Sequence, residues 1–194
     1  NPCLFLKPKA LMRVRGEELI PGEPTDEKDL KNKIDAPIGD RTNWKADWPS
    51  VEEYLVPFGK GKITRSGDQI TVVSYGRHLL LCNEVADQLS AEGYSVEVID
   101  LRSIYPYDWN MIKESVQKTG RVLFVNEDTE VTNFGEHLVY RVTQELFYDL
   151  LSRPRVVAGK NVPGIGLHPH LEDASVPQKH DIESAIREIC AEVP

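Results

Sequence analysis

The chain has 194 residues, 40% hydrophobic and 28% charged, an ordinary balance for a protein that folds around one sizeable core with an arm or tail beside it. No apolar run approaches the roughly 20 residues that a membrane-spanning helix needs, and Cys3, Cys82 and Cys190 are odd in number and too widely spaced for a disulfide framework or a structural zinc site, so a reducing interior such as cytoplasm fits. The net charge of −8 is uneven: ten basic and eleven acidic side chains in residues 1 to 60 are followed by thirteen and twenty from 61 onward, a balance that repels nucleic-acid phosphates and attracts basic partners.

The opening apolar stretch Pro2 to Leu6 is too short, and has the wrong flanks, for a secretory signal, and it reads as a strand cut from something larger. Residues 14 to 53 are rich in Pro, Gly and charge and lack sustained apolar periodicity, the pattern of a long connection. Trp44 and Trp48, with the Ser50 to Glu53 capping-box spacing ahead of Tyr54 and Leu55, predict that its end folds against a core.

From residue 70 the pattern alternates. Strand-length runs lie at 70 to 75 (ITVVSY), 96 to 100 (VEVID) and 121 to 126 (RVLFVN), with a weaker one at 155 to 158 (RVVA). Helical stripes follow: Leu79, Cys82, Val85, Ala86 and Leu89; Ile112 and Val116 behind the cap Asp108; Phe134, Leu138, Val142, Leu146 and Leu150; and Ile182, Ala185, Ile186, Ile189, Cys190 and Val193. Near-continuous apolar strands joined by helices predict an α/β fold, a three-layer α/β/α domain around a mostly parallel sheet.

Such a sheet invites a nucleotide, which the residues argue against. After the first strand stands only Gly76, followed by Arg77 and His78, where a GxGxxG turn is needed to approach a pyrophosphate. Asp100 ends the second strand and reads as an acid that satisfies loop amides rather than a ribose. Gly164 to Gly166 precedes His168, Pro169 and His170 and reads as a turn; the two histidines lack the further ligands of a metal quartet. His137 could serve as a general base at a helix start, although an exposed helical histidine is the commoner case. Glu127, Asp128 and Glu130 follow a strand and read as solvated loop acids. No catalytic and no cofactor-binding residue is assigned from these patterns.

Six stretches in order, NPCLFLKPKALMR (1 to 13), VPFGKGK (56 to 62), TVVSYG (71 to 76), VEVIDLRSIYPYDW (96 to 109), SVQKTGRVLFVNED (115 to 128) and LEDASVP (171 to 177), resemble the beta subunit of the branched-chain 2-oxo acid and pyruvate dehydrogenases. The resemblance implies a transketolase-type carboxyl-terminal domain at 54 to 194 with a five-stranded sheet, one strand antiparallel. It also implies a remnant of the pyrimidine-binding domain at 1 to 13 and a connection at 14 to 53. The implied parent carries out oxidative decarboxylation of a 2-oxo acid with acyl transfer to lipoamide, using thiamine diphosphate and magnesium held upstream of Asn1. The chain then looks like a fragment, inactive by itself, with Asn1 at the end of a loop that holds a monovalent cation, potassium, in the branched-chain enzymes.

By resemblance the partners are an alpha half of the same enzyme, the subunit-binding domain of the dihydrolipoyl acyltransferase and a second copy of this domain, with Glu183, Glu188 and Glu192 on the last helix as the residues for the basic partner. The chain departs from the family at Thr132 and Asn133, where a glycine pair is usual, at His137, where Glu is usual, at Asn161 to Ile165 and in the long connection, which would suit a fused alpha and beta form. Rival readings are another thiamine enzyme of transketolase or deoxyxylulose phosphate synthase type, and a pure assembly module.

Overall fold

In the computed structural model, which describes residues 2–14, 19–48 and 55–193, each β-branched run becomes a strand of one five-stranded sheet. Strands β1 (Lys62–Arg65), β2 (Ile70–Ser74), β3 (Val96–Asp100), β4 (Val122–Thr129) and β5 (Arg155–Gly159) lie in the order β1-β3-β2-β4-β5. β2, β3, β4 and β5 run parallel, and β1 pairs with β3 antiparallel. Every residue of β2 is buried, as expected of a central parallel strand covered on both faces. β1 escaped the periodicity reading because three of its four residues are exposed at the sheet edge.

Helices α2 (Arg77–Ser90) and α6 (Lys179–Ala191) cover one face, and α3 (Trp109–Thr119) and α4 (Phe134–Leu146) the other. Their ends follow local chemistry. Asp108 accepts from the Met111 N–H (3.3 Å) ahead of α3, and Gly120 ends that helix at φ +67° with its N–H on the Val116 carbonyl (2.8 Å). A methyl group on Gly120 would lie 2.5 Å from Leu151 Cγ, so conformation and packing both require glycine there. Asn133 caps α4, and Gln178 with Asp181 forms a capping box on α6.

Three local expectations need correction. Residues 2–8 form no strand: the segment pairs with none of the five strands, Leu4 and Phe5 are exposed, and it leads into a 3₁₀ turn at Lys9–Arg13. The stripe ending at Leu150 is helical only to Leu146; a 3₁₀ turn at Phe147–Asp149 follows, and the Leu151 N–H bonds to the Gly120 carbonyl (2.7 Å). Beyond the irregular 164–166 segment, α5 (Pro169–Ser175) starts with Pro169 in its first turn behind His168.

The chain divides into two compact units, Met12–Pro57 and the remainder, Asn1–Leu11 with Phe58–Pro194. Within the smaller unit α1 (Glu27–Ile34) buries no residue and is held by its ends: Asp26 accepts from the Lys28 and Asp29 N–H groups (2.9 and 3.1 Å), and Lys31 pairs with Glu27 (3.1 Å). Trp48 donates its indole N–H to the Pro21 carbonyl (3.1 Å). The Ser50 to Glu53 spacing and Tyr54 lie outside the described residues.

Candidate functional site

An open parallel sheet offers ligands a crevice beyond its carboxyl edge, where successive crossovers leave a strand in opposite directions. Here β2 connects through α2 to β3 on one side, and β3 crosses back through α3 to β4 on the other, so the switch point lies between β2 and β4. The loops that could line it are Tyr75 to Gly76 and residues 127 to 133.

The first loop turns at Gly76 (φ +63°) directly into α2. Arg77 reaches Glu172 of α5 (3.6 Å), and His78 is wholly buried. His78 Nε2 lies 3.1 Å from the Pro177 carbonyl, which can only accept, so that nitrogen carries the proton. Its Nδ1 lies 3.7 Å from Glu127 Oε2, beyond hydrogen-bond reach. Burial pushes the His78 pKa below the ordinary histidine value; the bond to Pro177 and the Glu127 charge oppose that shift, and Arg77 adds to it.

At the end of β4, buried Asn126 donates to Asn133 Oδ1 (3.2 Å), and the same oxygen accepts from the Glu136 N–H (3.2 Å). Gly135 admits no side chain, since a Cβ would lie 2.8 Å from Asn133 Oδ1 and 2.9 Å from Asn126 Nδ2. Of the acids expected in a loop, Glu127 and Asp128 lie in the last residues of β4 and Glu130 just after it; Asp128 accepts from the Thr129 N–H (2.8 Å) and Glu130 from the Asn161 N–H (3.2 Å). His78 Nδ1, Asn126 Oδ1 and Asn133 Nδ2 are buried there without a hydrogen-bond partner among the described residues.

His137 stands in a polar chain on the opposite face. Arg141 Nη1 donates to the Tyr107 hydroxyl (2.7 Å), which also hydrogen-bonds with His137 Nε2 (2.8 Å). The Arg141 guanidinium also lies over Trp109 (4.1 Å) and pairs with Glu145 (2.8 Å), which accepts from the Trp109 indole (2.9 Å). The Arg141 hydrogen bond foremost, helped by Trp109, holds the Glu145 carboxyl below its usual range against a partial cost of burial.

Neither Cys82 nor Cys190 offers a nucleophile, because burial pushes the Cys82 thiol up to about 12 and raises that of Cys190. Asp100 accepts from the Arg102 N–H (3.0 Å), the loop-satisfying role expected of it. His168 Nδ1 accepts from the His170 N–H (3.3 Å) as the cap of α5. Among the described residues no three His, Cys, Asp or Glu side chains gather in a metal-binding geometry. No described helix is long and apolar enough to cross a membrane.

On α6 the glutamates chosen from sequence are engaged within the chain. Glu183 pairs with Arg187 (2.8 Å), which also holds Glu92 (2.7 Å); Glu188 pairs with Arg155 (2.5 Å), and Glu192 with Arg155 and with Arg153 (3.6 Å). Asn1 lies outside the described residues. Sequence reasoning missed His78 as a buried group, although it stands four residues before Cys82 on the buried stripe of α2. It also missed the Tyr107–Arg141–Glu145 chain, which joins the loop before α3 to an i,i+4 pair on α4.

Comparison with known proteins agrees with this architecture. The profile of the family described as "Transketolase, C-terminal domain" matches residues 59–182. The chain is 33% identical over 139 residues to the 2-oxoisovalerate dehydrogenase subunit beta of Bacillus subtilis (strain 168), covering 72% of this chain and 42% of that one. It is 36% identical over 143 residues to the pyruvate dehydrogenase E1 component subunit beta of Rhizobium meliloti (strain 1021), with 73% and 31% covered. The mitochondrial counterpart of Homo sapiens is 39% identical over 137 residues, with 70% and 38% covered. The chain therefore spans less than half the length of these relatives. A solved split gene transketolase, described as an inactive beta4 tetramer, superposes with a TM-score of 0.64 at 22% identity, covering 77% of this chain and 48% of that one, a likeness of fold.

Proposed function

Because the chain belongs to the transketolase C-terminal domain family, we propose that it is the carboxyl-terminal part of the beta half of a 2-oxo acid dehydrogenase, acting as scaffold and docking domain. The parent reaction in this reading is oxidative decarboxylation of a 2-oxo acid with acyl transfer to lipoamide. Likeness to three beta subunits of such enzymes supports the family side of it. The observation that carries the non-catalytic side is that His78, Asn126 and Asn133 at the switch point are buried and hydrogen-bonded within the chain. In this reading residues 1 to 13 belong to a pyrimidine-binding domain, 14 to 53 connect, and 54 to 194 form the domain proper.

In this reading thiamine diphosphate and magnesium are not held by the described residues. Gly76 is the one glycine at the start of α2, and the neighbouring loop carries Glu127, Asp128 and Glu130, which would repel a diphosphate. We assign both to upstream parts of the parent. Asn1 remains the proposed contributor to a potassium loop. The proposed partners are an alpha half, a second copy, and a basic subunit-binding domain of the dihydrolipoyl acyltransferase docked on Glu183, Glu188 and Glu192; the proposed location is the cytoplasm.

Titration calorimetry of the chain with thiamine diphosphate and magnesium tests the cofactor assignment, with no heat of binding expected; stoichiometric micromolar binding would overturn it. A triple Glu183→Gln, Glu188→Gln, Glu192→Gln variant tests the docking face. It should bind the acyltransferase domain several-fold more weakly at low salt, with the difference shrinking at physiological salt. Equal affinity to the parent at both salts would place the docking face elsewhere.

A further inference from the structure

Strand β5 closes the sheet order, and among the described residues no strand pairs with its outer edge. Gly159 turns its carbonyl toward β4, accepting from the Glu130 N–H (2.6 Å), while the Lys160 N–H turns outward to the Ser175 carbonyl (2.8 Å). Since successive strand residues direct their backbone groups to opposite edges, Val156 and Ala158 present theirs on the open side. That edge floors a groove of about 1220 Å³ bounded by α6 and by the 173–178 segment, a volume that admits an extended peptide of several residues.

Natural edge strands are blunted by prolines, bulges or inward charges. Val156, Val157 and Ala158 carry none of these, and they are only partly buried. The groove rim carries six carboxylates against two lysines, of which Glu183 and Glu188 are held by Arg187 and Arg155. Glu136 and Asp173 make no ion pair among the described residues, whereas Lys179 is already paired with Glu84. The groove therefore combines strand backbone that no described strand pairs with, a small apolar floor and an acidic rim. A second copy adding its own β5 across a two-fold axis would set one acidic rim against another, which the charge disfavours.

We propose that the outer edge of β5 is a strand-addition site for an extended, lysine- or arginine-bearing segment of a partner protein. Backbone bonds to Val156 and Ala158 supply affinity, and basic side chains alternating toward the two rims supply selectivity. The site shares Glu183 and Glu188 with the docking face proposed above but rests on the backbone of β5, so the two can fail separately.

The test uses the whole chain and a capped hexapeptide, Thr-Lys-Val-Lys-Val-Arg, beside a version with Glu for each basic residue and a version N-methylated at every residue. Fluorescence polarisation should show binding of the basic peptide, weaker at higher salt, and at least a tenfold loss for each of the other two. Amide resonances of Val156 and Ala158 should shift on binding. Ala158→Pro, which removes an outward N–H from an edge strand without touching the β4 ladder, should weaken binding at least tenfold while leaving Glu183, Glu188 and acyltransferase-domain binding intact. Absence of binding at millimolar peptide, or equal binding of the N-methylated or acidic peptide, overturns the proposal. So does a concentration-dependent dimer that protects the Val156 and Ala158 amides, which would make a second copy the occupant. If Ala158→Pro fails to fold, the N-methylated peptide still decides.

Discussion

The two faces of the sheet are made by the same strands yet solve burial differently. Toward α2 and α6 the alternating residues Ile70, Val72, Val98, Leu123 and Val125 meet Val85, Ile182 and Ile186, an apolar surface whose polar groups sit at its rim, where Ser74 donates to the Val125 carbonyl (2.9 Å) and His78 to Pro177. Toward α3 and α4, Val73, Ile99, Val122 and Phe124 are interrupted by Thr71 and Glu97. Glu97 is 2% exposed and accepts from the Ser115 hydroxyl (2.5 Å), from Lys118 and from the Gly67 N–H (3.4 Å). The Thr71 hydroxyl links Ser115 (2.6 Å) and Thr119 (2.8 Å). A buried carboxylate is tolerated because its oxygens are bonded, and Lys118, 45% exposed, keeps part of its charge in water. One face needs only shape and hydrophobicity; the other depends on a complete set of partners.

Charge introduced into the apolar face gives the largest expected effect. Ile186→Asp would leave a carboxylate unpaired in the core and should cost more than about 4 kcal/mol, read by denaturant unfolding against the exposed control Glu114→Gln. A loss no larger than the control's would mean that the two faces do not differ in kind.

On the polar face, Glu97→Ala should cost about 2 kcal/mol, because the hydroxyls of Ser115 and Thr71 lose the acceptor that orders them while Lys118 can rehydrate. Glu97→Leu combined with Lys118→Met should regain at least half of that loss. Equal stability of the single and double variants would show that the pair is not coupled and that this face tolerates polar groups one at a time.

The smallest effect concerns the rim. Because the folded-state pKa of His78 lies below the ordinary histidine value of 6.5, the unfolded chain binds more protons in that window, and stability falls as pH drops through 6.5 toward the folded pKa. His78→Gln should flatten the decline of melting temperature between about pH 7.5 and 5.5. An unchanged slope would mean that other groups carry the acid sensitivity.

Much of the architecture was legible because it is local. The stripes Cys82, Val85, Ala86 and Leu89, and Ile182, Ile186 and Ile189, became buried helix faces, and the strand runs became strands within a residue or a few of their expected ends. Asp108 capped the helix it was expected to cap. The four-residue β1 carries too little burial to show a period, and α5 follows a proline and two histidines that also suit a turn. The charge on α6 could be counted from the sequence, but not that Arg155, 33 residues before Glu188, would meet it.

The sequence by itself determined which segments are strands and helices, where several helices begin and end, and that the first turn lacks a glycine cradle, since each of these depends on residues within a few positions of one another. Only the tertiary structure decided that His78 is buried and its tautomer set by Pro177, 99 residues away, that Glu97 is bonded rather than exposed, and that no described strand pairs with the outer edge of β5. Those properties arise when distant segments take or leave water from a polar group, and no local pattern records which distant segment will do so.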